Sequence, residues 1–219
     1  MKKINTFEEV DILIGRYPQL STARESIIEA YLVMEKCYKN DGKLLAAGNG
    51  GSAADSEHIA GELMKRFKRP RPVEPSFAEK LIAVDCVRGP VLAQNLEKSL
   101  TAIPLVAHES LTTAYINDVD GYGVFAQQLY GFGRPGDVFL GISTSGNSQN
   151  ILNAAVVAKA MDIKVIGLTG ADGGELARLA DVVVKAPETE TYKIQELHLP
   201  IYHCWCLMLE NKFFGEETI

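Results

Sequence analysis

Four short apolar runs in the chain are continuous rather than alternating: Leu44–Ala47, Val138–Ile142, Val165–Leu168 and Val182–Val184. Such runs fit strands buried on both faces, as in a parallel sheet covered by helices. Between them the apolar positions recur at helical spacing. Ile27, Ile28, Tyr31, Leu32 and Met34 predict a helix reaching about Cys37, with Ser21 as its cap and Asn40-Asp41-Gly42 as its stop. Further helices are predicted from the Gly48–Ser52 loop to about Phe67, over Tyr122–Tyr130, from Ser148 to Met161, over Glu175–Ala180 and over Lys193–Phe214. Ile103-Pro104-Leu105-Val106 predicts one more strand, and its proline places it at a strand start or a sheet edge. Residues 68–100 open with a proline-rich loop, and Val91–Leu100 predicts an extra helix there. The strand–helix alternation defines an α/β class: a three-layer sandwich around a mainly parallel five-stranded sheet with an extra N-terminal helix. The expected organisation is one domain over residues 1–219, with an insertion at about 68–100.

The composition narrows this picture little. Hydrophobic residues make up 47% and charged residues 23%, which excludes a disordered or fibrous chain. The formal net charge of −6 argues against a duplex nucleic-acid partner, which needs a basic face. No apolar run reaches the roughly 20 residues that span a bilayer, so no membrane partner is expected. The opening MKKINTFEEVDILIG does not read as a signal peptide. Cys37, Cys86, Cys204 and Cys206 have neither metal nor redox spacing, and reduced thiols in a cytoplasmic protein are expected.

The candidate chemistry lies in loops that follow strands, where parallel sheets bind ligands. Ser143-Thr144-Ser145-Gly146-Asn147-Ser148 offers hydroxyls and a helix N-terminus to an anion such as a phosphate, beyond what a single cap requires. Gly48-Asn49-Gly50-Gly51-Ser52 holds the equivalent place after the first strand. Its glycines admit a ligand close to the backbone or serve only a tight turn, and neither dinucleotide nor P-loop spacing is present, so no nucleotide cofactor is expected. His58 and Glu62 share a helix face at i and i+4, as an acid–base or metal pair or as a plain surface hydrogen bond. Gln195 and His203 lie about 80° apart on the last helix and point to one side, whereas His198, about 140° from His203, looks elsewhere. His203 stands in an apolar stretch as either a core residue or a functional one. The basic run Lys65, Arg66, Lys68, Arg69, Arg71 reads as a solvated face, with Arg66 best placed to reach a phosphorylated ligand.

Taken together, Gly48–Asp55, His58 with Glu62, Asn117-Asp118, Gly136–Ser148, Leu168-Thr169-Gly170 and Ile194–His198 with His203 resemble the sugar isomerase (SIS) fold, flavodoxin-like in architecture, and within it the phosphoheptose isomerases. The resemblance implies that Ser143, Thr144, Ser145 and Ser148 hold the phosphate of a sugar phosphate. It also implies that Asn49, Gly50, Gly51, Ser52, Arg66, Asn117, Asp118 and Gln195 line the sugar. Glu62 and His203 would be the catalytic pair. The implied reaction converts sedoheptulose 7-phosphate to D-glycero-D-manno-heptose 7-phosphate through an enediol, the first step toward nucleotide-activated heptoses. The resemblance further implies a homotetramer with sites between subunits and, in some members, zinc on His58, Glu62, Gln195 and His203. An aldose–ketose isomerisation needs one base for the carbon acid and one group that shuttles protons at the oxygens, and a carboxylate and a histidine on separate helices supply both.

Two other readings stand beside it. One is a non-catalytic SIS protein resembling the DnaA initiator-associating proteins, which lack the carboxylate and histidine found here at Glu62 and His203. The other is an SIS isomerase for a different sugar phosphate.

Overall fold

The computed structural model describes residues 7–215. Its centre is a five-stranded, wholly parallel sheet of β1 (Leu44–Ala47), β2 (Ala102–Pro104), β3 (Val138–Ile142), β4 (Lys164–Thr169) and β5 (Val182–Lys185), in the order β2-β1-β3-β4-β5. Successive side chains leave a strand on opposite faces. Leu44, Ala46, Val138, Leu140, Ile142, Ile166 and Leu168 accordingly enter one core, and Leu45, Ala47, Phe139 and Val165 the other. The first core packs under α1 (Glu8–Arg16), α2 (Arg24–Lys39), α3 (Gly51–Met64) and the long last helix, α10 (Thr191–Phe214). The second packs under α7 (Val124–Phe132), α8 (Gln149–Ala160) and α9 (Leu176–Leu179). These are the three expected layers, and β2, with Pro104, is an edge strand as its sequence predicts.

The differences from expectation have local causes. The helix expected to start at Ser21 starts at Arg24. Pro18 begins a 3-10 turn over Pro18–Ala23, and no side chain caps α2. The helix α1 was not anticipated; its Val10 and Leu13 are buried. Helix α3 stops at Met64 rather than Phe67, because Lys65 is extended and the Phe67 and Lys68 N–H groups donate to the Glu210 carboxylate instead. Residues 68–100 hold two helices, α4 (Pro75–Val84) and α5 (Arg88–Asn95), rather than one over Val91–Leu100. Leu96 is extended, and Glu97 forms an antiparallel bridge to Pro72 that closes the neck of this segment. Helix α6 (Glu109–Asp118) buries none of its residues, so the sequence carries no apolar stripe to announce it. Pro200 sits inside α10 without ending it.

Candidate active site

In a doubly wound sheet of order 2-1-3-4-5, the connections from β1 and β3 leave in opposite directions, and a crevice opens between their carboxyl ends. Both candidate loops lie there. The loop after β1 reaches Gly50, whose φ of +56° favours glycine, and α3 begins at the next residue. Ser52 is buried. Asn49 and Asn150, the latter in the first turn of α8, exchange two amide hydrogen bonds of 3.0 and 2.8 Å, which tie the two loops together.

The loop after β3 is held from several sides. The buried Ser143 hydroxyl meets the Ser148 hydroxyl at 3.0 Å. Thr144 C=O accepts from Gly170 N–H, and Ser145 Oγ accepts from Asn147 N–H. Gly146 has φ +66° and lies so close to Gly173 that a Cβ would come within 2.0 Å of its carbonyl oxygen. Ser148 starts α8 without a side-chain cap. Its hydroxyl therefore leaves the helix N-terminus open to an anion.

The second part of the site lies where α3 meets α10. Gln195 packs on Gly51, where an added Cβ would stand 2.6 Å from Gln195 Nε2. Two turns further along both helices, His58 Nε2 is 3.5 Å from His203 Nε2 and 3.3 Å from Glu62 Oε1. Helices α3 and α10 thus run side by side in the same direction. Lys65 Nζ takes the other carboxylate oxygen of Glu62 at 3.2 Å. Phe67 lies against the His203 ring, with centroids 5.3 Å apart. A cavity of about 150 Å³ between α1 and α10 reaches His203 and is lined also by Arg16, Tyr17, Leu199 and Cys204. Burial, and then the neighbouring His58, lower the pKa of His203 below the usual histidine value, while Glu62 opposes the shift. The shift favours the neutral imidazole of His203. His198 does look elsewhere. It is fully buried, its Nε2 lies 3.1 Å from Thr169 C=O, and burial pulls its pKa down to about 4.

Other candidates fall further from this group. Arg66 is bound to Glu97: its backbone N–H and its Nε both meet that carboxylate, at 2.9 and 3.3 Å. Asn117 and Asp118 bond to each other at the exposed end of α6. Arg71 is not part of a solvated face. It is 1% exposed and lies 3.0 Å from Glu210. Its guanidinium also donates to the carbonyls of Glu62 and Leu63 and stacks on Phe214. Sequence reasoning missed this clamp, along with Asp55 and Tyr202, whose carboxylate and hydroxyl meet at 3.1 Å behind His58. The i, i+3 spacing of Asp55 and His58 on α3 was the available signal.

Nitrogen and carboxylate donors suit zinc, and tetrahedral ligands at about 2.0–2.1 Å stand about 3.3 Å apart, close to both separations around His58. Among the described residues, however, no group of three or more His, Cys, Asp or Glu is arranged to hold a metal ion. The donor chemistry thus fits zinc, whereas a closed ligand set is not formed.

An α/β sheet of this order with Gly and Ser/Thr loops at its switch point defines the class, and residues 16–100 and 92–170 match the SIS domain. A phosphoheptose isomerase from Sulfurimonas denitrificans is 42% identical over 179 residues, 82% of this chain and 78% of the relative. Phosphoheptose isomerase 2 of Campylobacter jejuni is 42% identical over 190 residues, 87% and 82% of the two chains. The solved phosphoheptose isomerase of Neisseria gonorrhoeae superposes with a TM-score of 0.69 at 32% identity, covering 92% of this chain and 98% of its own. The chain belongs to the SIS-domain phosphoheptose isomerases, and it is an enzyme of the aldose–ketose isomerase type.

Proposed function

We propose that the chain converts sedoheptulose 7-phosphate to D-glycero-D-manno-heptose 7-phosphate, with Glu62 and His203 as its acid–base pair. The observation that carries this reading is the meeting of Glu62, His58 and His203 across α3 and α10, on helices whose starts adjoin the linked Gly and Ser/Thr loops. In the reaction one group removes a proton from C1 of the ketose to give the enediol and a proton returns at C2, while a second group exchanges protons between O1 and O2. A carboxylate suits the carbon acid, and a neutral imidazole suits the oxygens. Ser143, Thr144, Ser145 and Ser148 hold the phosphate at the start of α8. Asn49, Gly50, Gly51, Ser52 and Gln195 line the sugar; Arg66, Asn117 and Asp118 reach it only after a rearrangement or from another subunit.

Zinc, where bound, is held by His58, Glu62, His203 and Gln195, and would polarise the sugar's carbonyl and hydroxyl oxygens. The protein reads as one SIS domain with residues 68–100 inserted, working in the cytoplasm as a homotetramer. No helix among the described residues is long and apolar enough to cross a membrane. Trp205 and Met208 of α10 are buried within the chain itself and offer no surface for assembly. What supports assembly is family membership together with exposed Ile12 and Leu199 beside the His203 cavity.

A coupled assay with C5, C6 and C7 ketose phosphates tests the substrate. Turnover highest on the C7 ketose is the expected result, and turnover confined to a C5 or C6 ketose overturns it. Light scattering tests the assembly, and a monomer's mass at working concentration overturns the tetramer.

A further inference from the structure

Behind His58 lies a short chain of polar groups that the reaction scheme above does not use. The Tyr202 hydroxyl is 3.1 Å from Asp55 Oδ1 and 3.0 Å from His58 Nδ1. Tyr202 is 1% exposed, and the second oxygen of Asp55 is buried with no hydrogen-bond partner among the described residues. We propose that Tyr202, aligned by Asp55, is a positioning residue that fixes His58 as the Nδ1–H tautomer and aims its Nε2 lone pair at Glu62 and His203.

The argument is one of counting protons. A phenol has one hydrogen to donate and a buried carboxylate has none, so the Tyr202 hydrogen goes to the stronger acceptor, Asp55. An ordinary phenol is protonated at neutral pH and keeps that hydrogen. Its oxygen then faces His58 Nδ1 as an acceptor, and Nδ1 must be the ring nitrogen that carries hydrogen. The other nitrogen is left with a lone pair. It points into the space where His58 Nε2 stands 3.3 Å from a Glu62 oxygen and 3.5 Å from His203 Nε2. Two acceptors, the His58 lone pair and a Glu62 carboxylate oxygen, then face one another beside the His203 ring and favour a positive charge between them, whether a shared proton or a metal ion. The opposite tautomer would put a hydrogen in that space and fill it. Partners that hold a ring nitrogen in this way set both the orientation and the basicity of an imidazole.

The consequence for turnover rests on the acid–base reading above; the tautomer itself does not, and it can be read without substrate. Nitrogen-15 NMR of the metal-free protein, at a pH where the His58 ring is neutral, distinguishes a hydrogen-bearing ring nitrogen from a bare one. Wild type is expected to show hydrogen on Nδ1. Tyr202→Phe, which removes only the hydroxyl, is expected to show a mixture of tautomers. Asp55→Asn can turn an amide N–H toward the Tyr202 oxygen and send the phenol hydrogen to Nδ1, so its hydrogen should move to Nε2. Zinc affinity, measured by competition with a chelator, should fall about 10- to 100-fold in Tyr202→Phe. Hydrogen on Nε2 in wild type, or the same tautomer in all three proteins, overturns the proposal. If the tautomers shift as expected while turnover does not change, the tautomer assignment stands and the acid–base reading of this group fails.

Discussion

Arg71 and Glu210 form an ion pair 3.0 Å long in which neither side chain reaches water. The carboxylate is further satisfied by two backbone N–H groups, Phe67 and Lys68, each at 2.8 Å. The guanidinium holds the Glu62 and Leu63 carbonyls at the end of α3. One pair thus fastens the end of the helix that bears Glu62, the start of the 68–100 segment and α10.

Removing one partner leaves a buried charge alone, which costs about 3–5 kcal/mol. Glu210→Ala should lower folding stability by that amount, measured as a fall in the urea midpoint. The double change Arg71→Met with Glu210→Leu should recover much of the loss, since apolar replacements of a buried pair are often neutral. A loss under about 1 kcal/mol in the single variant would show that the pair is not strained by isolation of its charge.

The proposed acid–base pair predicts a loss in kcat. Glu62→Gln and His203→Ala should each reduce kcat roughly 100- to 10,000-fold while sugar-phosphate binding stays measurable. Near-wild-type kcat in either variant removes that residue from the mechanism.

The phosphate loop predicts the opposite signature. Ser145→Ala combined with Ser148→Ala should raise KM for the sugar phosphate and lower affinity for inorganic phosphate, with less effect on kcat. Unchanged affinity by calorimetry would exclude the loop as the phosphate site.

His198 makes stability depend on pH. Its pKa is held at about 4 in the folded chain, against 6.5 when unfolded. Between these values the unfolded state binds the extra proton, so stability falls as pH drops from about 6.5 to 4 and is unaffected by this group above that window. The full swing is on the order of 3 kcal/mol. Urea unfolding across this range should be steeper in pH for wild type than for His198→Gln, and equal slopes would count against it.

Gly51 should tolerate no side chain. A Cβ there meets the Gln195 amide at 2.6 Å. Gly51→Ala should push that amide away and raise KM several-fold with the fold intact by circular dichroism. An unchanged KM would detach Gln195 from sugar binding.

The strands were the most legible part of the chain because each is buried on both faces. The limits of β1 and β3 were read correctly from Leu44–Ala47 and Val138–Ile142. Helix α6 buries none of its residues and left little period to read, whereas Phe77, Leu81 and Val84 of α4 stand at helical spacing that went unread. The two candidate loops could be placed because their glycines and hydroxyls directly follow the buried runs of β1 and β3. That His58, Glu62 and His203 meet was accessible only through the family resemblance, since helical angles place residues on one helix and not between two. Arg71 was misread because a run of cations in sequence looks solvated whatever its third dimension. Only the position of Glu210, far along the chain, decides otherwise.

The juxtaposition of α3 and α10 also sets a schedule. His58 and His203 are 145 residues apart. A ribosome adding 5–20 residues per second makes the second histidine about 7 to 30 s after the first. Throughout that interval the flank of α3 that bears His58 and Glu62 has no neighbour. The sheet can assemble strand by strand during synthesis, but the proposed acid–base group cannot form until α10 has emerged and docked on α3.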